Sequence, residues 1–450
     1  MTSFETKKRN AGMARLFSFA ATLVLLMAPD AARAGIDGVP GPAFSLTASA
    51  GYISIADGGS IYSWGYSTDG SMQLPGPTLI VTEGAVVTVT LNNALPAAAG
   101  NVSIVFPGHQ LSGTSGGVSG LLTQEAPVGG SVTYTFTASE PGTYQYHSGT
   151  QPDLQVEMGL YGALIVEPAA PAAGCTASAY AHGATCFDRE YLFLLSEVDI
   201  DIHQAAELQA SGPGPIEVIT EPYVSEYWLI NGRAAPDTMA AAGRDLLPSQ
   251  PYNSLPRMHP GERLLLRVVG AGRQIHPFHH HGNHARVLAR DGRLLLSATD
   301  ATQLAGPLLF TIPSVPGGTV DAIFEWTGKN LGWDMYGHTP GDGSTCTPNV
   351  DGYHNVSTDN NYLEWCDDHN RAIPVTLPDL SVQTFGGFYS GSPYLGALGG
   401  LPPGEGGLNP NAGFAYMWHS HTERELVNND VFPGGMMTML IIEAPGVPIE

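Results

Sequence analysis

Residues 131–168 read SVTYTFTASEPGTYQYHSGTQPDLQVEMGLYGALIVEP. Three runs within this stretch, SVTYTFTA, GTYQYH and GLYGALIVEP, are rich in β-branched and aromatic residues and are bounded by glycine or proline. The upstream run AVVTVTLNN alternates apolar with polar residues in the same way. Alternation with a period of two is typical of strands that bury one face. The runs therefore predict an all-β fold built from β-sandwiches.

The composition of the whole chain agrees with this fold class. Its 450 residues include 56 glycines and 35 prolines, and only 13% are charged, which favours short strands and tight turns over long helices. The length exceeds one ordinary core, so two or more domains are expected. A second set of strand-like runs begins at EYLFLLSEVD, after the linker-like EPAAPAAG. We predict domains over residues 38–170 and 185–450.

The second predicted domain contains a long stretch, residues 328–413, that is rich in glycine, proline, asparagine and aspartate. It is too long for an ordinary sandwich loop and is interpreted as an insertion that forms a lid or an interface. The four cysteines flank two short segments, and an even count in an exported chain predicts two local disulfides. The predicted pairs are Cys175–Cys186 and Cys346–Cys366.

The amino terminus has the pattern of a secretory signal. Lysines and arginines precede the apolar run LFSFAATLVLLMA, which is followed by Ala32-Arg33-Ala34. This pattern predicts a signal peptide over residues 1–34 and a periplasmic or secreted protein, with an uncleaved anchor as the alternative. The apolar run is short for a membrane span, and no stable span is expected in the mature protein.

The net charge of −23 argues against nucleic acid and anionic membrane surfaces as partners, because both would be repelled. Attraction of metal cations or of a basic partner protein is compatible with this charge, although solubility explains it equally well.

Histidines are concentrated in two short segments. HPFHHHGNH, from His276 to His284, places five histidines within nine residues, and WHSH carries His419 and His421. On a strand, residues two apart point to the same side, so His279 and His281 share a face. Imidazoles bind Cu(II), Zn(II) and other divalent ions well. The pattern predicts a metal site. Five further histidines lie in loop-like segments or in the insertion and are predicted to be solvated: His182, His203, His338, His354 and His369.

These segments resemble the motifs of the multicopper oxidases. HPFHHHG is similar to the family's H-P-x-H-L-H-G, and WHSH with the later GGMM is similar to its H-C-H-(x)3-H-(x)3-G-M ending. GTYQYHSGTQPDLQVEMGLYGALIV resembles the family's G-T-Y-W-Y-H-S-H stretch, and MQLPGPTLIVTEG also has a counterpart. The resemblance covers most of the mature chain outside the insertion and is greatest to the two-domain branch. It implies two cupredoxin-like Greek-key β-sandwich domains and copper as the cofactor.

The resemblance also implies a set of ligands. The family holds one blue copper, bound by a cysteine and two histidines, and a trinuclear cluster bound by eight histidines that passes electrons to dioxygen. His279 matches a type 2 ligand, and His276 matches a blue-copper ligand. The matches to type 3 ligands are His281, His419 and His421. His147 matches the first histidine of the amino-terminal H-x-H pair.

Several family positions are changed in this chain. Ser420 stands at the blue-copper cysteine, and Glu425 stands at its later histidine partner. Gly149 replaces the second histidine of the H-x-H pair, and VFPG replaces H-W-H-G, with His109 just beyond it as a candidate substitute ligand. A serine hydroxyl cannot replace the soft thiolate that makes a cupredoxin site a fast one-electron port. A histidine-ligated copper centre without a blue type 1 copper is therefore expected.

Three functions fit these observations. The first is an exported copper-dependent oxidoreductase with its centre at a domain or subunit interface, acting on a small molecule, a metal ion or a redox partner protein. The second is a non-catalytic periplasmic metal-binding or scaffolding protein, and the third is a purely structural module. In the two-domain branch the cluster lies between neighbouring subunits, usually of a trimer. The resemblance thus implies a homotrimer in which His147 meets the second-domain histidines.

Overall fold

The alternating runs of the first half form two facing sheets. The computed structural model describes residues 36–372, 391–392, 414–443 and 447–449. The first half contains a short helix, α1 (Pro152–Gln155), and eleven strands. The strands are β1 (Val39–Pro40), β2 (Ala43–Ser54), β3 (Ser60–Ser67), β4 (Gly76–Thr82), β5 (Val86–Asn93), β6 (Leu111–Gly116), β7 (Val118–Ser119), β8 (Gln124–Glu125), β9 (Ser131–Thr137), β10 (Gly142–His147) and β11 (Tyr161–Glu167). One sheet has the order β1-β4-β11-β10, the other β3-β2-β5-β9-β6, and β7 pairs with β8.

Strand β5 shows how the sequence pattern produces the first core. Val87, Val89 and Leu91 are fully buried, whereas the residues between them are half-buried. They pack with Tyr134 and Phe136 of β9 in one apolar core. Full burial of such side chains stabilises the fold by about 1.5–3 kcal/mol each, so the period of two fixes which face of each strand turns inward.

The second half forms two larger sheets. It contains α2 (Ile200–Ala210) and thirteen strands. The strands are β12 (Arg189–Val198), β13 (Tyr227–Ile230), β14 (Arg257–Met258), β15 (Arg263–Gly270), β16 (His276–His280), β17 (Ala285–Arg290), β18 (Arg293–Leu294), β19 (Leu308–Leu309), β20 (Thr311–Ser314), β21 (Thr319–Glu325), β22 (Gly391–Ser392), β23 (Phe414–Ser420) and β24 (Met437–Ile442). The sheet orders are β13-β12-β15-β21-β17-β18, with β19 on β17, and β14-β24-β23-β16-β20, with β22 on β23. Short 3-10 turns lie at Ala97–Ala99, Gly183–Thr185, Asp237–Met239, Cys366–Asp368 and Glu423–Leu426.

Helix α2 follows β12 of the second sandwich but packs on the first core. The Asp199 side chain accepts hydrogen bonds from the backbone amides of Asp201 and Ile202, which satisfies two amides that the helix leaves unpaired. Ile202 and Ala206 are buried in the first apolar core. His203 is 1% exposed, and its ring lies against the carbonyl oxygens of Tyr62 and Glu157. The prediction that His203 is solvated is therefore wrong.

The two sandwiches share apolar and polar contacts. Leu74 and Tyr161 of the first sandwich pack with Leu194 and Leu229 of the second in one buried cluster. The limits 38–170 and 185–450 remain predictions, because this cluster draws on both halves. The all-β prediction is confirmed, since strands dominate the described residues.

The described part of the insertion, residues 328–372, is held by packing and a cross-link. Trp333 and Met335 are buried in the core of the second sandwich. The disulfide Cys346–Cys366 closes a loop further along, and Cys175–Cys186 forms in the linker region. Both predicted disulfides are confirmed. Most of residues 373–413 and the whole predicted signal peptide lie outside the described residues. Among the described residues, no helix has the length and apolar content needed to span a bilayer.

Candidate metal centre

Two adjacent antiparallel strands bring the histidine motifs together. In the register of β16 and β23, His279 lies directly opposite His419. Because residues two apart on a strand share a face, His281 and His421 project to the same side as this pair. Gly282, which follows His281, has a φ of +104°. This conformation favours glycine and turns the chain away after β16.

The four imidazoles form one cluster. Ring centroids lie 4.8 Å apart for His279 and His281, 4.8 Å for His279 and His421, and 5.2 Å for His281 and His419. The Nε2 atoms of His281 and His419 are 3.2 Å apart. Ligand atoms of His279, His281 and His419 all lie within 4.8 Å of one another. These three residues are buried, whereas the His421 side chain is 52% exposed at the rim.

Neighbouring groups orient two of the rings. The Nδ1 of His419 lies 2.6 Å from the carbonyl oxygen of Ser420, which can only accept, so Nδ1 carries the proton and Nε2 carries the lone pair. The Nδ1 of His279 lies 2.8 Å from Oγ1 of Thr311. Such outer contacts fix the tautomer and the ring plane of metal-binding histidines.

The cluster favours neutral imidazoles. Burial, followed by the proximity of His419 and His421, lowers the pKa of His279 to about 4. Burial also lowers the pKa of His419. Neutral imidazole is the form that binds metal. Three convergent, buried imidazoles, with the pKa values of His279 and His419 lowered, therefore fit a copper or zinc ion.

His276 lies in a different environment. Its Nδ1 is 2.9 Å from Glu425 Oε2, its Nε2 is 2.8 Å from Glu197 Oε2, and its side chain is fully buried. Burial alone lowers the pKa of His276, but the hydrogen bonds to the two glutamates outweigh it and raise the pKa to about 9. His276 was expected to bind copper, but the structure places it between two carboxylates as a buried cation. Glu425, which stands where the family has a histidine, is its partner.

The first-sandwich histidines lie apart from the cluster. His147, at the end of β10, has its Nδ1 2.9 Å from the carbonyl oxygen of Ser148. The ring of His109 lies between Phe136 and Tyr144, with centroids 4.9 and 4.4 Å away, and its Nδ1 is buried without a hydrogen bond among the described residues. Neither histidine belongs to the group whose ligand atoms lie within 4.8 Å of one another. Their roles as ligands remain predictions.

A second group of potential ligands, which the sequence patterns did not reveal, lies in the insertion. Its members are Asp334, His338, Glu364 and His369. Both histidines were predicted to be solvated, and this is wrong, because each lies 3.0 Å from a carboxylate oxygen. His354 was also predicted to be solvated, yet it is fully buried. One available signal was the placement of an acidic residue four or five positions before each histidine of the group.

His280 is a further histidine that the motif did not distinguish. It faces the core from β16, with its ring 5.0 Å from Phe278 and 5.0 Å from Trp418. Burial lowers its pKa to about 3, and both ring nitrogens are buried without a hydrogen bond among the described residues. It is a neutral core side chain on the side of the strand opposite the cluster.

A thiolate ligand is not available to this site. All four cysteines of the chain are paired in the two disulfides. The residue at the centre of WHSH, Ser420, is buried and lies opposite Phe278 in the register. The chemistry of a blue copper site, which requires a cysteine sulfur, does not fit these residues.

Comparison with known proteins agrees with the geometry. Residues 59–171 match the family model described as "Multicopper oxidase". Over this part of its length, the chain is similar to the multicopper oxidase family. It is 40% identical over 98 residues to the multicopper oxidase MCE of Talaromyces pinophilus, a match that covers 21% of this chain and 15% of that protein. It is 39% identical over 98 residues to the copper resistance protein A of Pseudomonas syringae pv. tomato, covering 22% and 15%. The matched part thus spans less than a fifth of these relatives.

Solved structures of multicopper oxidases share the fold over most of the chain. The multicopper oxidase mgLAC aligns with a TM-score of 0.53 and 21% identity, over 91% of this chain and 87% of that one. The blue copper oxidase from Nitrosomonas europaea aligns with a TM-score of 0.53 and 20% identity, over 88% and 85%. The cupredoxin-like sandwich prediction is confirmed by these neighbours.

Proposed function

We propose that this protein is an exported copper-dependent oxidoreductase whose centre is the histidine cluster of β16 and β23, without a blue type 1 copper. The observation that carries the proposal is the convergence of His279, His281 and His419 as three buried imidazoles. Similarity to the multicopper oxidases favours copper over zinc at these positions. Export is supported by the sequence of residues 1–34 and by the two disulfides, which require an oxidising compartment.

The residues in and around the cluster would have different roles. His279, His281 and His419 would hold copper, which when bound supplies one-electron redox chemistry. Thr311 and the Ser420 carbonyl keep two of the rings oriented. His421, half exposed and 3.0 Å from Glu423, lies where a small reductant or a metal ion can approach from solvent. Substrate would meet the centre directly at this rim, because the thiolate through which electrons enter a blue site is missing.

A non-catalytic metal-binding role is the second candidate, and one observation favours it. Glu197 and Glu425 enclose His276 where the family's electron-entry copper would lie. A buried carboxylate–imidazolium–carboxylate arrangement has no redox chemistry at neutral pH. If substrates cannot reach the rim at His421, copper would be bound and not turned over.

Copper loading combined with oxygen consumption distinguishes the two roles. The protein purified with copper should bind the ion and consume dioxygen in the presence of small reductants, without the intense thiolate-to-copper absorption. Copper without oxygen consumption would favour the metal-binding role, and no bound copper would contradict both. The Ser420→Cys variant is the matched control. It should stay colourless or weakly coloured, because Glu425 supplies oxygen where a type 1 site needs imidazole.

We also propose a homotrimer. His147 and His109 lie apart from the cluster of their own chain, so a neighbouring subunit would bring its first sandwich against the cluster. Light scattering of the copper-loaded protein at micromolar concentration should give the mass of three chains. His147→Ala should lower the copper content without changing that mass. A copper-loaded monomer would contradict the assembly.

A further inference from the structure

Four side chains of the insertion converge in a cluster separate from the copper cluster. Asp334 and Glu364 are each 2% exposed, and the side chains of His338 and His369 are 21% and 11% exposed. Ligand atoms of all four residues lie within 4.8 Å of one another. Carboxylate pairs of this kind are rarely buried unless a cation balances them.

The separations between the imidazole nitrogens and the carboxylate oxygens are close to those around a tetrahedral ion. The Nδ1 of His338 is 3.0 Å from Asp334 Oδ2 and 3.8 Å from Glu364 Oε2. The Nδ1 of His369 is 3.0 Å from Glu364 Oε1 and 3.4 Å from Asp334 Oδ2. Zinc bonds of about 2.0–2.2 Å in tetrahedral geometry place ligand atoms about 3.3–3.6 Å from each other. The observed separations bracket that value, so an ion fits with small shifts of the side chains.

Backbone contacts and a cross-link hold the two carboxylates in place. Asp334 accepts hydrogen bonds from the backbone amides of Tyr336 and Asn370, both at 2.8 Å. Glu364 accepts one from the side chain of Asn361, and the disulfide Cys346–Cys366 lies two residues further on. Ligands fixed by such outer contacts lose little freedom on binding an ion.

We propose that the insertion carries a structural zinc site. Its ligands are Asp334, His338, Glu364 and His369. Two carboxylates and two neutral imidazoles carry a charge of −2, which a divalent ion balances. Four protein ligands leave no open position, which is the arrangement of structural zinc sites, and zinc tolerates tetrahedral mixtures of nitrogen and oxygen ligands. The ion would fix the insertion against the second sandwich, which it reaches through Trp333 and Met335.

Charge balance without metal is the competing explanation, in which both histidines are protonated and form two ion pairs. The two explanations differ in what zinc does to the whole protein. If these four residues bind zinc, the chelator-treated protein should take up one zinc ion per chain at pH 7 outside the copper cluster. Zinc should then raise the melting temperature. If the ion pairs suffice, zinc should do neither.

Reciprocal variants assign the ion to its site. His338→Gln with His369→Gln should weaken zinc binding by about 100-fold or more and should leave copper binding at the cluster intact. His281→Ala with His419→Ala is the matched control and should leave the zinc ion of the insertion site bound with unchanged affinity. This design separates failure of the zinc site from failure of the proposed copper centre. Zinc uptake that survives the first pair and disappears with the second would overturn the proposal.

Cobalt(II) gives a spectroscopic readout, measured in the chain that carries His281→Ala and His419→Ala so that the copper cluster does not contribute. Cobalt in the insertion site should show the strong visible bands of a tetrahedral ion, and zinc should displace it. A weak octahedral spectrum, or cobalt uptake of less than one ion per chain outside the copper cluster, would contradict the four-ligand site. Asp334→Asn should also reduce the affinity for zinc, and its side chain can still accept a hydrogen bond from the Tyr336 amide. This variant replaces the double histidine variant if the latter does not fold.

Discussion

A chain that carries His281→Ala and His419→Ala should lose its copper. These two residues supply the pair of Nε2 atoms 3.2 Å apart at the centre of the cluster, and their removal leaves His279 with only the exposed His421 nearby. Loss of a single outer contact lowers metal affinity about 10–100-fold, so loss of two direct ligands should lower it by more than 100-fold. Equilibrium dialysis against a competing chelator measures the change.

The fold should survive this pair of substitutions. Burial lowers the pKa of His419, so the ring is neutral, and its removal leaves no charge unpaired. The matched control is His284→Gln, a histidine of the same segment that lies outside the cluster, with its ring against Phe310. The control should bind copper like the unaltered protein. Equal copper affinity in the control and the double variant would show that the cluster does not hold the ion.

The second large effect is expected at His276. His276→Gln removes the cation between Glu197 and Glu425, whose side chains are 0% and 5% exposed. Leaving a buried charge without its partner costs about 3–5 kcal/mol, and that loss should appear in the free energy of unfolding. Denaturant unfolding at pH 6 measures it. The matched control is His259→Gln, where Glu262 keeps its bond to Arg189, and a loss of about 1 kcal/mol or less is expected.

The dependence of stability on pH follows from the same residue. Its pKa is about 9 in the folded protein and about 6.5 in an unfolded chain. The stabilisation by His276 is therefore complete below pH 6.5 and is lost as the pH rises through about 9.

A triple variant tests this origin of the pH dependence. Combining His276→Gln with Glu197→Gln and Glu425→Gln removes all three charges together. The backbone amides of Arg273 and Gln274, which donate to the carboxylate of Glu197, can still donate to the amide oxygen that replaces it. The triple variant should regain stability relative to His276→Gln alone and should lose the fall in stability with pH. An unchanged fall would exclude His276 as its cause.

The fold and the copper cluster could be predicted because both follow from the period of two along a strand. Val87, Val89 and Leu91 alternate with polar residues, and burial of one face is the physical consequence. His279 and His281 follow the same rule on β16, and β23 brings His419 opposite them. The sequence could not predict which strands would be neighbours, and here the family motifs supplied that information.

The environment of His276 and the site in the insertion could not be predicted in this way. Glu197 and Glu425 reach His276 from positions about 80 residues before it and 150 after it, and no local pattern links them. His338 and His369 lie in a segment without regular strands. Only the three-dimensional path of this loop brings them into the same group of ligands. They were predicted to be solvated because the composition of the segment is typical of a loop. In the structure they contact carboxylates because the loop packs on the second core.

The alternation on β16 and β23 also bears on how such a protein can change over evolutionary time. Phe278, His280 and Trp418 face the core, whereas His279 and His419 face away from it. Exchange of an outward histidine alters what the protein binds without repacking the interior. A lineage can therefore shed or acquire metal ligands one at a time while each intermediate remains folded. The present chain, with Gly149 and VFPG where the motifs that it resembles have histidines, fits such stepwise change.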